Sequence, residues 1–140
     1  MTDKLTMIVP GKPEYVGTVR MAAAHAASRV DLDIEQIDDI KVAVSEACTN
    51  IVLHAHEEPD FTYEVVIEIS ETLFTVTVTD EGKGFGMEDY TEPVPGEMSG
   101  VGMGMGIFII KALMDDVEIT SEPGVGTKIK MAKHILIPEA

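Results

Sequence analysis

One cysteine, Cys48, is the only thiol in 140 residues. That excludes an internal disulfide and any metal site built on a cysteine cluster. Basic residues are scarce too: 10 Lys and Arg stand against 25 Asp and Glu, for a net charge of −15. A surface so acidic repels phosphate backbones, which argues against direct nucleic-acid binding. It suits either plain solubility or docking onto a basic protein surface. No apolar run is long enough to cross a bilayer, and Met1-Thr2-Asp3-Lys4-Leu5 lacks the apolar core of a signal peptide. A cytoplasmic protein without membrane attachment is expected. Internal repeats and linkers are also absent, and 45% hydrophobic residues over this length can fill one core, so residues 1–140 are read as a single domain.

The patterning that is present supplies an element order. Leu5 to Val9 is apolar and stopped by Pro10, which suits an edge strand. Pro13 can open a helix whose inner positions are Val16, Val19, Ala23 and Ala27. His25, set among alanines there, reads as a packed or half-exposed side chain rather than a catalytic one. Asp33 and Gln36 have the spacing of a capping box, opening a long helix to about His56 with Ile37, Ile40, Val44, Ala47 and Ile51 inward. Cys48 then falls in an apolar helical neighbourhood, the place of a buried structural thiol. Tyr63–Ser70 and Phe74–Thr79 alternate as a hairpin pair around Glu71-Thr72. A helix over about Gly104–Met114, a strand over Asp116–Thr120 and a final strand over Thr127–Ile137 complete the chain. Five strands and three helices imply a two-layer α/β sandwich, with the helices on one face of a mixed, mostly antiparallel sheet.

Certain positions carry more than packing. Glu46, Asn50 and His54 lie four apart, so they form a polar row beside the apolar stripe of the long helix. Asn is a mediocre helix former, which gives its presence there a reason to be sought. A solvated helix face is the plain alternative. Asp80 ends a strand and is followed by Gly82 and Gly84, placing one carboxylate beside backbone with little bulk. Such a carboxylate can accept from an exocyclic amine like that of adenine; an ordinary turn is the alternative. Residues 87–100 show no periodicity, and the loop of about 85–103 is read as a lid. Gly102, Gly104 and Gly106 run directly into a helix. A helix start exposes unpaired N–H groups and the positive end of the dipole, a setting for phosphate oxygens.

Glu46-x-x-x-Asn50, Asp80-x-Gly82-x-Gly84, Gly102-x-Gly104-x-Gly106 and Gly124-x-Gly126-Thr127 follow one another over about 80 residues. In that order they resemble the boxes of the GHKL, or Bergerat-fold, ATPases. Ser45-Glu46-Ala47-Cys48-Thr49-Asn50, Met114-Asp115-Asp116-Val117 and Pro13-Glu14-Tyr15-Val16-Gly17 are similar to the small anti-sigma factor serine kinases of the RsbW and SpoIIAB types. The resemblance implies a Bergerat-type fold that binds ATP or ADP with Mg²⁺. It makes Asn50 the Mg²⁺ ligand and Glu46 the catalytic base. Asp80 becomes the adenine-binding acid, with Gly82 and Gly84 beside the ring and Thr127 completing the pocket. Gly102, Gly104 and Gly106 would wrap the phosphates, and His54 would help orient Asn50.

The partners so implied are a sigma factor, held inactive, and a STAS-type anti-anti-sigma factor phosphorylated on serine; a homodimer is implied as well. In one departure, no Lys or Arg lies between Lys83 and Lys111. A basic residue over the phosphates is therefore missing or comes from a partner subunit. Two other readings stay open: a nucleotide-gated protein that sequesters a sigma factor with little or no kinase activity, and a cascade kinase that binds no sigma factor.

Overall fold

The computed structural model describes residues 2–54, 60–80, 103–122 and 125–135. Strand β1, Asp3–Pro10, lies at one edge of a five-stranded sheet of order β1-β2-β3-β5-β4. Its terminal Pro10 has no N–H to give to a ladder, which suits a strand end at an edge. Strands β2, Thr62–Ile69, and β3, Leu73–Asp80, form the expected hairpin. Ser70 closes its turn: the backbone N–H of Ser70 donates to the Leu73 carbonyl at 2.9 Å, and the Leu73 N–H donates to Ser70 Oγ at 3.0 Å. Strands β4, Asp116–Glu122, and β5, Gly126–His134, complete the sheet.

Among the described residues all four pairings are antiparallel, where a mixed, mostly antiparallel sheet was expected. The reason is topological. The crossover from β3 through helix α3, Met103–Leu113, returns to β4 two strand positions away, and β5 fills the gap between them antiparallel to both neighbours. No adjacent pair is then parallel, although β3 and β4 point the same way.

A short 3₁₀ turn at Pro13–Tyr15 leads into α1, Val16–Ala27. Val19, Ala23, Ala26 and Ala27 are buried, which leaves His25 exposed rather than packed. Helix α2, Ile34–His54, opens on the capping box: the Gln36 N–H donates to Asp33 Oδ1 at 2.8 Å, and the Asp33 N–H donates to Gln36 Oε1 at 2.9 Å. Two orphan donors are thereby satisfied reciprocally. The buried stripe of α2 is broader than the sequence pattern, with Ala43 and Cys48 as enclosed as Ile40, Val44, Ala47 and Ile51. Burial pushes the Cys48 thiol up to about 12, against a smaller opposing pull from the Tyr63 hydroxyl, so it is an uncharged core group.

Helix α2 packs against both α1 and α3 and onto β3 and β5, which makes it the middle of the helical layer. Phe74, Val76, Val78, Ile129 and Met131 supply the sheet's half of the core. Among the described residues no helix is long and apolar enough to cross a membrane. The lid expectation falls on residues outside those described, apart from Met103, which begins α3. Ile137, the expected end of the last strand, also lies outside them.

Candidate functional site

The helix-borne part of the site follows from spacing. Positions 46 and 50 lie one turn apart on α2, on the side that packs against α3. Opposite them α3 carries Gly106, inside its second turn. Glycine in a helix interior costs about 1 kcal/mol relative to alanine, so a glycine kept there calls for a steric reason. The geometry gives one. A Cβ on Gly106 would stand 3.0 Å from Asn50 Nδ2, 3.1 Å from Asn50 Oδ1 and 3.2 Å from Glu46 Oε2. The two polar side chains of α2 thus converge on bare backbone at the start of α3.

Asn50 is only 3% exposed, and its Nδ2 has no hydrogen-bond partner among the described residues. An unpaired buried amide donor costs roughly 1–3 kcal/mol, so the group is poised for an acceptor that the described residues do not supply. A phosphate oxygen would serve as that acceptor. It would leave Oδ1 facing a cation, and one amide oxygen beside phosphates is the sparse, hard-oxygen set that Mg²⁺ takes. The donor set therefore fits a magnesium nucleotide. The backbone N–H groups of the first turn of α3 have no intrahelical acceptor and point toward the same end of the helix.

A second group of residues forms on the sheet. Asp80, the last residue of β3, pairs directly with Thr127 of β5, which in turn pairs with Ser121 of β4. The three strand ends therefore present a row of polar side chains. Asp80 and Thr127 are each 2% exposed, and Thr127 Oγ1 lies 2.8 Å from Ser121 Oγ. Gly126 precedes Thr127 with φ 137°, a conformation that side-chain-bearing residues rarely adopt. That turn opens a groove of about 740 Å³ lined by Asp80, Thr120, Val125, Gly126 and Thr127. A buried carboxylate beside a hydroxyl pair and an exposed valine offers hydrogen bonds at one edge of a flat ring and apolar contact over its face. A purine base matches that chemistry.

The structure thus gathers the expected residues into two groups, Glu46, Asn50 and Gly106 on the helices and Asp80 and Thr127 on the sheet. Gly104 lies in the first turn of α3, while Gly82, Gly84 and Gly102 are outside the described residues. His54 ends α2, and its side chain too is outside what is described. Ser121 was missed by the sequence reading; its signal was its position six residues before Thr127 across a tight Gly-containing turn. Lys133 was missed as well. It is a lysine on the buried face of β5, 6% exposed, whose Nζ donates to Asp39 Oδ2 on α2 at 3.2 Å and to the Leu113 carbonyl at the end of α3.

Known proteins resemble this chain along most of its length. The model of the histidine kinase-like ATPase domain matches residues 9–133. A serine-protein kinase RsbW of Listeria innocua is 39% identical over 143 residues, covering 96% of this chain and 89% of that protein. The protein of the same name from Halalkalibacterium halodurans is 37% identical over 129 residues, covering 88% of this chain and 79% of its own. Among solved structures, the RsbU and RsbW domains of a Mycobacterium tuberculosis protein superpose with a TM-score of 0.71 at 18% identity. That likeness, covering 97% of this chain and 33% of the other, is one of fold.

Proposed function

The chain belongs to the histidine kinase-like ATPase domains, within the RsbW serine-protein kinases, and we propose that it binds MgATP and phosphorylates a serine of an anti-anti-sigma factor. In the same reading it holds a sigma factor inactive when that partner is not engaged. The observation that carries the reading is the convergence of Glu46 and Asn50 on Gly106.

Each residue has a task in this account. Asp80 accepts a hydrogen bond from the adenine amine, with Thr127 and Ser121 beside it and Gly82 and Gly84 leaving room for the ring. The N–H groups at the start of α3 carry the phosphates, with Gly104 and Gly106 on the helix and Gly102 in the sequence just before it leaving them room. Asn50 donates to phosphate through Nδ2 and offers Oδ1 to Mg²⁺. A bound Mg²⁺ neutralises charge on the phosphate tail. Glu46 accepts the proton of the acceptor serine as its oxygen attacks the terminal phosphorus, and ADP departs. Phosphoryl transfer depends on positioning and charge stabilisation more than on covalent chemistry by the protein, which suits a site with few reactive groups.

The net charge of −15 supports a basic protein partner such as a sigma factor, and a cytoplasmic homodimer belongs to the same reading. The test is transfer of labelled phosphate from ATP to a serine-bearing STAS-type partner. Parent protein should label it, and Glu46→Ala should not; full activity in Glu46→Ala would refute the assignment of the base. The acidic surface also favours a second reading, nucleotide-gated sequestration of a sigma factor without useful catalysis, which clear turnover in the same assay rejects.

A further inference from the structure

Lys133 is a buried cation that none of the nucleotide chemistry uses. It sits on β5, and its ammonium spans two other elements, meeting Asp39 on α2 and the Leu113 carbonyl in the last turn of α3. A cation there complements the negative end of the α3 dipole and satisfies a carbonyl left over by the helix. Two backbone-borne bonds strengthen the same junction. The Asp115 N–H donates to the Ala132 carbonyl at 3.0 Å, and the His134 N–H donates to Asp115 Oδ2 at 2.7 Å.

Asp39 is not at an arbitrary place on α2. Asp39, Ala43, Glu46 and Asn50 recur at intervals of four, three and four residues, which is one stripe of the helix. Ala43, in the middle, is fully buried. Along that stripe Asp39 meets the end of α3 through Lys133, while Glu46 and Asn50 meet Gly106 near its start. The two helices therefore run in opposite directions and are pinned at two points. From Gly106 to Leu113 is seven residues, roughly 10 Å of helix at 1.5 Å per residue. Glycine at one pin only permits close approach; it does not stop the helices from sliding. Lysine at the other pin fixes a distance.

We propose that Lys133 is a positioning residue: its ammonium, held between Asp39 and the Leu113 carbonyl, sets the sliding position of α3 along α2 and so keeps Gly106 seated on Glu46 and Asn50. The inference rests on the nucleotide-kinase reading, because its consequence is felt at the phosphate end of the site. Asp80 and Thr127, which take the base, lie on strands that Lys133 does not need to hold apart.

The experiment compares affinities for AMP and for MgATP by calorimetry in parent, Lys133→Met and Lys133→Arg, each at a temperature where it is folded. Parent should prefer MgATP. Lys133→Met should bind AMP within about twofold of parent and lose at least tenfold in the MgATP-to-AMP affinity ratio, with Lys133→Arg recovering part of it. A role confined to stability would lower the melting temperature and leave that ratio unchanged, which would overturn the inference. Should Lys133→Met fail to fold, the double variant Lys133→Met/Asp39→Leu removes both buried charges and carries the test, since matched apolar replacement of a buried pair is commonly tolerated. That variant should fold and still show the reduced ratio; a ratio equal to parent would overturn the inference. A parent without preference for MgATP refutes the kinase reading itself, and the inference with it.

Discussion

Replacing Gly106 with alanine adds a single methyl group where Asn50 and Glu46 converge. Its carbon would stand 3.0 Å from Asn50 Nδ2 and 3.2 Å from Glu46 Oε2. Ordinary contacts of this kind settle near 3.5–4.0 Å, so one side chain or the helix must retreat by roughly 0.5–1 Å. The stability terms oppose one another. Alanine improves helix propensity by about 1 kcal/mol, and overpacking costs about 1–3 kcal/mol. Urea unfolding should therefore show a loss between nothing and about 2 kcal/mol, with the protein folded at 25 °C. The functional loss should be far larger, because a displacement of about 1 Å in a positioned group can cost about 100-fold. Calorimetry with MgATP and transfer of labelled phosphate to a serine-bearing partner read that loss, and AMP binding at the Asp80 groove should be little changed. A Gly106→Ala protein that binds MgATP and transfers phosphate within threefold of parent would refute the claim that this close approach builds the phosphate end.

Further outcomes follow from individual contacts. Glu46→Gln keeps the shape of the side chain and removes its basicity, so MgATP affinity should hold while transfer falls by about 10²–10⁴-fold in a single-turnover assay. Asp33→Ala removes one half of the α2 capping box and should cost about 1 kcal/mol in urea unfolding without altering nucleotide affinity. Cys48 ionises near 9.0 when exposed but at about 12 when folded, so the native state keeps a proton that the unfolded chain releases. Stability should then be complete below about pH 9 and decline between pH 9 and 12, with Tyr63, shifted upward by burial, adding to the decline above its ordinary 10.0. Alkaline unfolding midpoints measure this, and Cys48→Ala should flatten the first part of the curve.

Local patterns carried most of the fold. The capping box at Asp33 and Gln36, the alternation of β2 and β3 and the stop at Pro10 each express one short-range cause, and each element formed where its pattern stands. Sheet order was not legible in the same way, because the return of β4 past β5 depends on how the α3 crossover lands rather than on any residue of the strands. The helix row of Glu46 and Asn50 was readable from its spacing, but its meeting with Gly106 required the packing of α3 on α2. Ser121 and Lys133 escaped notice for related reasons. A serine in a strand and a lysine in an alternating strand look like surface residues until register places one against Thr127 and the other beneath two helices.

Titration of the protein with ATP in the presence of Mg²⁺, followed by calorimetry, bears most directly on the central claim. Parent should take up one nucleotide per chain, while Asn50→Ala should lose the dependence on Mg²⁺ and Asp80→Ala should lose affinity for adenine nucleotides generally. Absence of binding by the parent, or variants that bind as tightly as the parent, would contradict it.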